Sequence, residues 1–242
     1  MKRIVIVGAT SGIGYHLANI YISKGWRVGV AGRREEILSN FKLQHPKQIE
    51  YQVIDVMQED ADQLLAQLIN KLGGMDLYLH SSGIGYQNPI LEKEIELRTT
   101  KTNVQGFTLL INHAYHYFKG QGRGHIATIS SIAGTRGLGV APAYSATKRY
   151  QSTYIDALEQ LSYMSKTKIL FTDILPGFVA TDLLHGGKKF PLLMQPEYVA
   201  NRIAKGLSSK KRRLTIDWKY KILVFFWKLI PKSLWKILPI KN

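Results

Sequence analysis

The segment that most constrains the fold is GATSGIG at residues 8–14, which directly follows an apolar run at residues 3–7. The apolar run predicts a buried strand, and the residues after it show the three- and four-residue apolar spacing of a helix. Glycines at a strand-to-helix turn let the backbone bend sharply and approach an anion at the helix N-terminus. The segment therefore predicts a dinucleotide site. The expected contacts are Gly8, Thr10, Ser11, Gly12, Ile13 and Gly14.

Apolar runs that favour strands recur along the chain, with helical patterns between them. The predicted strands are residues 3–7, 27–31, 49–54, 76–80, 125–130 and 168–175, and the predicted helices include residues 13–23, 59–72, 94–118, 143–165 and 197–207. This alternation predicts an α/β fold of the Rossmann type, a doubly wound, mostly parallel sheet in three layers. We expect one domain over residues 1–217, followed by a basic amphipathic C-terminal extension at residues 218–242.

The second predicted strand ends at Ala31-Gly32-Arg33-Arg34, about twenty residues after the glycines. An acid at this place would accept a hydrogen bond from a ribose 2′-hydroxyl, and none stands there. Gly32 leaves space, and Arg33 with Arg34 can offer guanidinium donors to a 2′-phosphate. This favours NADP(H) over NAD(H), although a solvated helix N-terminus would also explain the two arginines.

Tyr144 and Lys148 are one helical turn apart in YSATK, and a Ser-Ser pair at residues 130–131 ends a predicted strand. A free tyrosine has a pKa of about 10, so proton transfer near neutral pH requires a lower value. A cation ~4 Å from the phenolate stabilises it by roughly 4 kcal/mol at an effective dielectric constant of 20. The spacing therefore predicts that Lys148 lowers the pKa of Tyr144, which then acts as proton donor and acceptor.

Several ordered motifs together resemble the short-chain dehydrogenase/reductase family, over nearly the whole chain up to about Asp217. They are GATSGIG (8–14), Asp55-Val56, TNVQG (102–106), ISSIAG (129–134), YSATK (144–148) and PGFVAT (176–181). The resemblance implies a catalytic tetrad of Asn103, Ser131, Tyr144 and Lys148. In that tetrad Ser131 would orient a substrate carbonyl, Lys148 would also hold the nicotinamide ribose, and Asn103 would position a water.

The same resemblance implies further cofactor contacts and an assembly. The implied contacts are Asp55, Val56, Gly83, Tyr144, Lys148, Pro176, Gly177, Val179 and Thr181. It also implies a small-molecule carbonyl or alcohol substrate and a homodimer or homotetramer. Where the family usually has Asn-Asn-Ala-Gly, this chain has His80-Ser81-Ser82-Gly83, so only the glycine is retained and His80 is expected to be a structural strand-end residue.

The net charge of +16 is concentrated near the C-terminus, because residues 205–242 carry eleven Lys/Arg and one acid. Such a charge is compatible with nucleic acid, an anionic membrane or an acidic partner, but no nucleic-acid motif accompanies it, so nucleic-acid binding is not expected. The absence of cysteine excludes disulfides, thiolate nucleophiles and Cys-based zinc sites. No metal site or secretion signal is predicted, and we expect a cytoplasmic protein.

The C-terminal extension has two interpretations. Its uninterrupted apolar run, Ile222–Trp227, is far shorter than the ~20 residues that span a bilayer. Interleaved lysines and tryptophans fit an amphipathic segment on an anionic membrane surface, and packing on its own subunit or on a neighbour explains the same pattern. In the segment 182–194, Gly186 and Gly187 could act as hinges of a substrate-covering loop, whose apolar residues suit either an apolar substrate or ordinary packing.

The sequence thus favours reversible carbonyl/alcohol oxidoreduction, with hydride from NADPH and a proton from Tyr144. A cofactor-binding sensor or scaffold that has kept the fold without catalysis is the alternative, against which the complete set of Ser131, Tyr144 and Lys148 counts.

Overall fold

The structure, a computed structural model, describes residues 1–184 and 190–240. The strands in these ranges are β1 (Arg3–Val7), β2 (Arg27–Gly32), β3 (Ile49–Val53), β4 (Leu77–His80), β5 (Arg123–Ile129), β6 (Lys168–Pro176) and β7 (Arg213–Ile216). The α-helices are α1 (Gly12–Ser23), α2 (Glu35–Gln44), α3 (Ala61–Leu72), α4 (Lys93–Thr100), α5 (Phe107–Gln121), α6 (Pro142–Met164), α7 (Pro196–Ser208), α8 (Trp218–Leu229) and α9 (Lys232–Trp235).

The strands form one parallel sheet in the order β3-β2-β1-β4-β5-β6-β7. This confirms the predicted doubly wound α/β fold. The order reverses between β1 and β4, and ligands in such sheets bind at the carboxyl ends of the strands near that point. Two elements, α2 and β7, were not among those predicted, because α2 buries only Leu38 and Phe41 and the four residues of β7 bury only Leu214 and Ile216.

The helix predicted over residues 94–118 is divided by a wider π-helical turn at Lys101–Gly106, between α4 and α5. Gly106 explains how this turn fits against the turn after β3, because a Cβ at Gly106 would lie 2.2 Å from the carbonyl oxygen of Val56. The turn carries Asn103 into the interior, where the residue is completely buried.

The core lies on both faces of the sheet, and successive residues of β1 show how it is divided. Ile4 and Ile6 pack on the face covered by α1 and α7, whereas Val5 and Val7 pack on the face covered by α3 and α5. All four side chains are inaccessible to solvent. Side chains that alternate between two covered faces are what a central parallel strand requires.

The C-terminal extension packs on its own chain. Tyr220 and Val224 of α8 are buried in the same core cluster as α1 and α7. Arg136 donates hydrogen bonds to the carbonyl groups of Trp227, Lys228 and Ile230 at the end of α8, and the Trp235 Nε1 donates to Gly137 at 2.8 Å. The sequence left membrane contact and packing on the protein open for this extension. The structure shows that one face of α8 packs on its own subunit. Within the described ranges no helix is long and apolar enough to cross a membrane.

Candidate active site

The predicted site residues gather at the carboxyl end of the sheet. The glycine turn follows β1, Arg33 follows β2, Asp55 follows β3, Gly83 follows β4 and Ser131 follows β5. Pro176 ends β6 and Gly177 comes directly after it. Because parallel strands all end at the same edge, residues that are far apart in sequence become neighbours there.

The turn after β1 has a backbone that only glycine accepts easily. Gly8 has φ of +91° and Gly12 has φ of +52°, in the region that residues with a Cβ rarely adopt. A Cβ at Gly14 would lie 2.1 Å from the Gly8 carbonyl oxygen. The Ser11 side chain makes no capping hydrogen bond to α1, so the first N–H groups of this helix remain available to an anion. This backbone cradle fits the diphosphate of a dinucleotide.

Two threonines among the predicted cofactor contacts pack against glycines of this region. The Thr181 Cγ2 lies 2.9 Å from the position of a Cβ at Gly12. The Thr10 Cγ2 lies 2.8 Å from the position of a Cβ at Gly32. The space beside Gly32, which the sequence suggested would receive a phosphate, is therefore filled by Thr10.

The two arginines after β2 have different surroundings. The Arg34 Nε donates to the Thr10 Oγ1 at 3.2 Å, and the Arg34 Nη1 lies 3.5 Å from the Asp182 carboxylate. Arg33 is exposed and makes no hydrogen bond or ion pair within residues 1–184 and 190–240. The first turn of α2 supplies Glu35 and Glu36, which offset the two positive charges at the helix start. Arg33 is the guanidinium left available to a ligand.

Asp55 and Val56 occupy the turn after β3. The Asp55 Oδ1 accepts a hydrogen bond from the Met57 backbone N–H at 3.0 Å, which holds the turn in shape. Val56 is buried beside Gly106. The turn thus presents a partly exposed carboxylate at the same edge of the sheet as the glycine turn.

Tyr144 is the predicted proton donor, and Ser131 is the residue predicted to orient the substrate carbonyl beside it. Burial raises the pKa of Tyr144, and a hydrogen bond with the Ser131 side chain opposes this effect. The Ser131 Oγ also accepts from the Ala133 N–H at 3.1 Å. Ser130, by contrast, donates to the buried Asp173 carboxylate. The structure therefore places Ser131, and not Ser130, beside Tyr144.

Lys148 is buried and held by two acceptors. Its Nζ donates to the Ile129 carbonyl oxygen and to the Gln151 Oε1, both at 3.0 Å, and it lies 5.9 Å from the centre of the Tyr144 ring. Burial lowers the pKa of Lys148 to about 8, although the Asp173 carboxylate raises it. The pKa of Tyr144 is therefore raised where the sequence predicted a fall, because desolvation of the phenolate by burial outweighs the hydrogen bond with Ser131.

Asn103 is fixed from several sides. Its Nδ2 donates to the Ile84 carbonyl oxygen at 2.7 Å and to the Thr147 Oγ1 at 3.1 Å, and its Oδ1 accepts from the Ile84 N–H at 2.9 Å. The Gln151 Nε2 donates to the Asn103 backbone carbonyl at 2.9 Å. The sequence analysis missed Gln151, which links Asn103 to Lys148. Its place three residues after Lys148 on α6 was the only signal for it.

Replacing Gln151 is expected to move the pKa of Lys148. Loss of the acceptor in Gln151→Leu should lower this pKa below about 8 by about one unit, because the amide stabilises the charged ammonium. Lys148 is protonated below its pKa, so the alkaline limb of the kcat/KM profile should move to lower pH. In Gln151→Glu the carboxylate should move the alkaline limb to higher pH. An alkaline limb at the same pH in both variants as in the unaltered protein would show that Gln151 does not control the pKa of Lys148.

The turn after β4 packs directly on Lys148 and Tyr144. A Cβ at Gly83 would lie 3.3 Å from the Lys148 Nζ, and one at Gly85 would lie 2.7 Å from the Tyr144 ring. His80 is buried, shares a hydrogen bond with the Tyr78 hydroxyl at 3.0 Å and has a pKa lowered to about 3, chiefly by burial and also by Lys148. A neutral, enclosed imidazole at the end of β4 suits the structural position expected for His80.

A second contact that the sequence analysis missed joins the C-terminal extension to the site. The Tyr220 ring fills the space beside Gly177, where a Cβ would lie 2.1 Å from it. The Tyr220 hydroxyl accepts from the Phe178 N–H at 3.0 Å and lies 3.1 Å from the carbonyl oxygens of Pro191 and Leu192. No local pattern signals a contact over 42 residues.

The segment after Pro176 passes beside the glycine turn, where Thr181 packs against Gly12. Val179 pairs with Met194 in a short parallel bridge, and both side chains are buried. The proposed hinges Gly186 and Gly187 lie outside the described residues. The described parts of this segment therefore lie at the same edge of the sheet as the predicted site.

Comparisons with known proteins agree with the fold described above. The family model described as short chain dehydrogenase matches residues 2–190. An uncharacterized oxidoreductase of Staphylococcus haemolyticus is 30% identical over 212 residues, which cover 84% of this chain and 90% of the relative. The solved structure "ElxO with NADP Bound" superimposes with a TM-score of 0.79 at 20% identity and covers 90% of this chain and 98% of that one.

A second solved structure, a 3-ketoacyl-(acyl-carrier-protein) reductase from Brucella melitensis complexed with NADH, has a TM-score of 0.78 at 22% identity. It covers 89% of this chain and 96% of that one. At these identities the two structures support the fold.

Proposed function

This chain belongs to the short-chain dehydrogenase family of oxidoreductases, and we propose that it uses NADP(H) to interconvert a carbonyl and an alcohol on a small molecule. The observation that carries the proposal is the arrangement of Ser131, Tyr144 and Lys148 beside the glycine cradle. A nicotinamide cofactor, when bound, supplies the hydride in one direction and accepts it in the other.

The chain's own residues would hold and orient the reactants. The backbone of the glycine turn would bind the diphosphate, Asp55 and Val56 the adenine side, and the segment from Pro176 through Thr181 the nicotinamide side. The Ser131 hydroxyl would donate a hydrogen bond to the substrate carbonyl oxygen, without acting as a nucleophile. Asn103 would hold a water that resupplies protons.

The direction of the Tyr144 pKa suits a proton donor. Because burial raises this pKa, the phenol stays protonated near neutral pH and can protonate the substrate oxygen as it gains negative charge during reduction. The Lys148 ammonium would stabilise the phenolate that remains. A phenol that is protonated at neutral pH is the form that carbonyl reduction requires.

Cofactor preference provides a separate test. Arg33→Ala should weaken NADPH binding by about tenfold or more and leave NADH binding nearly unchanged, because a charge-assisted hydrogen bond contributes ~1.5–3 kcal/mol. Titration of protein fluorescence with each cofactor measures both affinities. Arg123→Ala, at the opposite end of the sheet, is the matched control. Equal losses for NADPH and NADH in Arg33→Ala, or tighter NADH binding by the unaltered protein, would contradict the preference.

Substrate class, assembly and location are also part of the proposal. Leu192 and Leu193 are partly exposed at the segment that borders the site, which favours an apolar carbonyl substrate. We propose a homodimer or homotetramer, as the family resemblance implies, and a location in the cytoplasm. A panel of ketones and aldehydes, including lipid-like ones, tests the activity through NADPH consumption, and consumption that persists in Tyr144→Phe would argue against the assigned site.

A further inference from the structure

The outward face of α8 is a continuous apolar stripe. Trp218, Ile222, Phe225 and Leu229 recur at three- and four-residue spacing, so they lie on one side of the helix. Phe225 is 60% exposed and Leu229 is 63% exposed. Leu234, Ile237 and Leu238 add further exposed apolar side chains in and after α9. Scattered apolar residues are normal on protein surfaces, but a stripe of this length marks an interaction site.

The stripe cannot turn inward, because the opposite face of α8 is already packed. Tyr220 and Val224 lie in the core on that face, and Arg136 binds the carbonyl groups at the end of the helix. The helix is therefore apolar on two sides, one buried in the protein and one facing outward. Core packing explains only the first of them.

Lysines border the stripe on both sides. At 100° per residue, Lys219 lies along one edge, and Lys221 and Lys228 lie along the other. All three are exposed, and the sequence has no acid after Asp217. Lysines in such positions can lie along apolar surface and extend their ammonium groups to anions at its border.

A cationic cavity opens beside the Lys228 edge. It has a volume of about 990 Å³, and α6, β7 and the two C-terminal helices all contribute to its wall. None of the described residues that line it is acidic. Its charged lining residues are Arg136, Arg149, Arg213, Lys228 and Lys232. The positive field therefore extends from the stripe onto the catalytic domain.

We propose that α8 and α9 seat the protein on the surface of an anionic lipid bilayer, with the stripe in the interfacial region and the lysines on lipid phosphates. Aromatic and aliphatic side chains bordered by lysines have the chemistry of an interfacial helix. A second copy of the chain fits this face less well, because a symmetric contact would bring lysines against lysines without acids to pair them.

The position of α8 links this surface to the site. Tyr220 is in contact with Gly177 and with the backbone of Phe178, Pro191 and Leu192. The bilayer would therefore lie close to the segment that follows Pro176. An apolar carbonyl compound dissolved in the membrane would reach Tyr144 by a short path. This consequence rests on the proposed function, whereas the docking of α8 and α9 does not.

Co-sedimentation with vesicles tests the docking directly. The full-length protein is mixed with phosphatidylcholine vesicles, with and without phosphatidylglycerol, over a range of salt concentrations. We expect binding to the anionic vesicles that weakens with salt. The double variant Phe225→Ser/Leu229→Ser should bind about tenfold or more weakly, because two large apolar side chains are lost. Leu43→Ser, at an exposed apolar position on α2, is the matched control and should bind normally.

Charge variants separate the contribution of the lysines. Lys219→Gln/Lys228→Gln should weaken anionic vesicle binding about fivefold for each lysine, while Lys47→Gln/Lys93→Gln should leave it unchanged. Equal binding by both pairs, or no vesicle binding by the unaltered protein, would overturn the proposal. The proposal would also be overturned if the unaltered protein binds no vesicles but forms a dimer that the Phe225→Ser/Leu229→Ser variant abolishes. NADPH affinity is measured on the same variants, so that a loss of membrane docking can be distinguished from a failure of the proposed function.

Discussion

Replacement of Tyr144 by phenylalanine is expected to lower kcat/KM for carbonyl reduction by about 10²–10⁴-fold, the usual contribution of a general acid. The phenol is the group hydrogen-bonded to Ser131, and the substituted side chain would keep the aromatic ring but lose the proton. The loss should appear mainly in kcat, because the hydroxyl acts on charge that develops in the transition state. Steady-state NADPH oxidation with the best carbonyl of the panel measures both parameters.

Tyr163→Phe is the matched control for this variant. Tyr163 lies on the same helix, α6, and is 86% exposed, so removal of its hydroxyl should change neither parameter. NADPH affinity and the unfolding temperature of Tyr144→Phe should stay close to those of the unaltered protein. A Tyr144→Phe variant that retains most of its kcat would remove Tyr144 from the mechanism.

Gly14→Ala is expected to reduce NADPH affinity about a hundredfold or more. The new Cβ would lie 2.1 Å from the Gly8 carbonyl oxygen, a backbone atom that cannot move without displacing the turn. Two or more hydrogen bonds from backbone N–H groups to the diphosphate would be lost, each contributing ~1.5–3 kcal/mol. Overpacking should also lower the free energy of unfolding by ~1–3 kcal/mol.

The matched control is Gly120→Ala. Gly120 lies in α5, and a Cβ there would meet nothing within 4 Å, so cofactor affinity should not change and the helix should become slightly more stable. Fluorescence titration and thermal unfolding separate the two effects of Gly14→Ala. A variant that is folded and binds NADPH normally would contradict a cofactor site at this turn.

The fold could be predicted from the sequence because its signals are local. Strong apolar runs such as β1 predict a parallel sheet, and the glycine turn after β1 predicts where the ligand binds. Two features could not be predicted, one for a local reason and one because it depends on a tertiary contact. The strand β7 is short and begins within a basic cluster, and the division of one long helix depends on contact between Gly106 and Val56, which no periodicity reveals.

The site was predictable as a set of positions but not as a set of contacts. The motif identified Ser131 and Lys148, and the structure brings them to the same edge of the sheet as Tyr144. The effect of burial on the pKa of Tyr144 depends on three-dimensional packing, and so does the link through Gln151. A helical spacing of four residues could show that Lys148 is near Tyr144, but not which acceptors hold its ammonium group.

The packing of α8 is a second case in which the sequence could not show which contacts each side chain makes. Interleaved lysines and aromatic residues left both membrane contact and self-packing open. Tyr220 and Val224 pack inward, while Phe225 and Leu229 face outward, so two apolar faces on one short helix gave the sequence its mixed pattern. Only a structure that assigns each side chain to one face of α8 could separate membrane contact from self-packing.

The most direct test of the central claim is transfer of deuterium from NADPH labelled at the nicotinamide C4. With a carbonyl substrate, we predict deuterium on the former carbonyl carbon of the alcohol product, seen by mass spectrometry, with transfer nearly lost in Tyr144→Phe. Tight NADPH binding with no labelled alcohol from any ketone or aldehyde would contradict the account and favour a cofactor sensor.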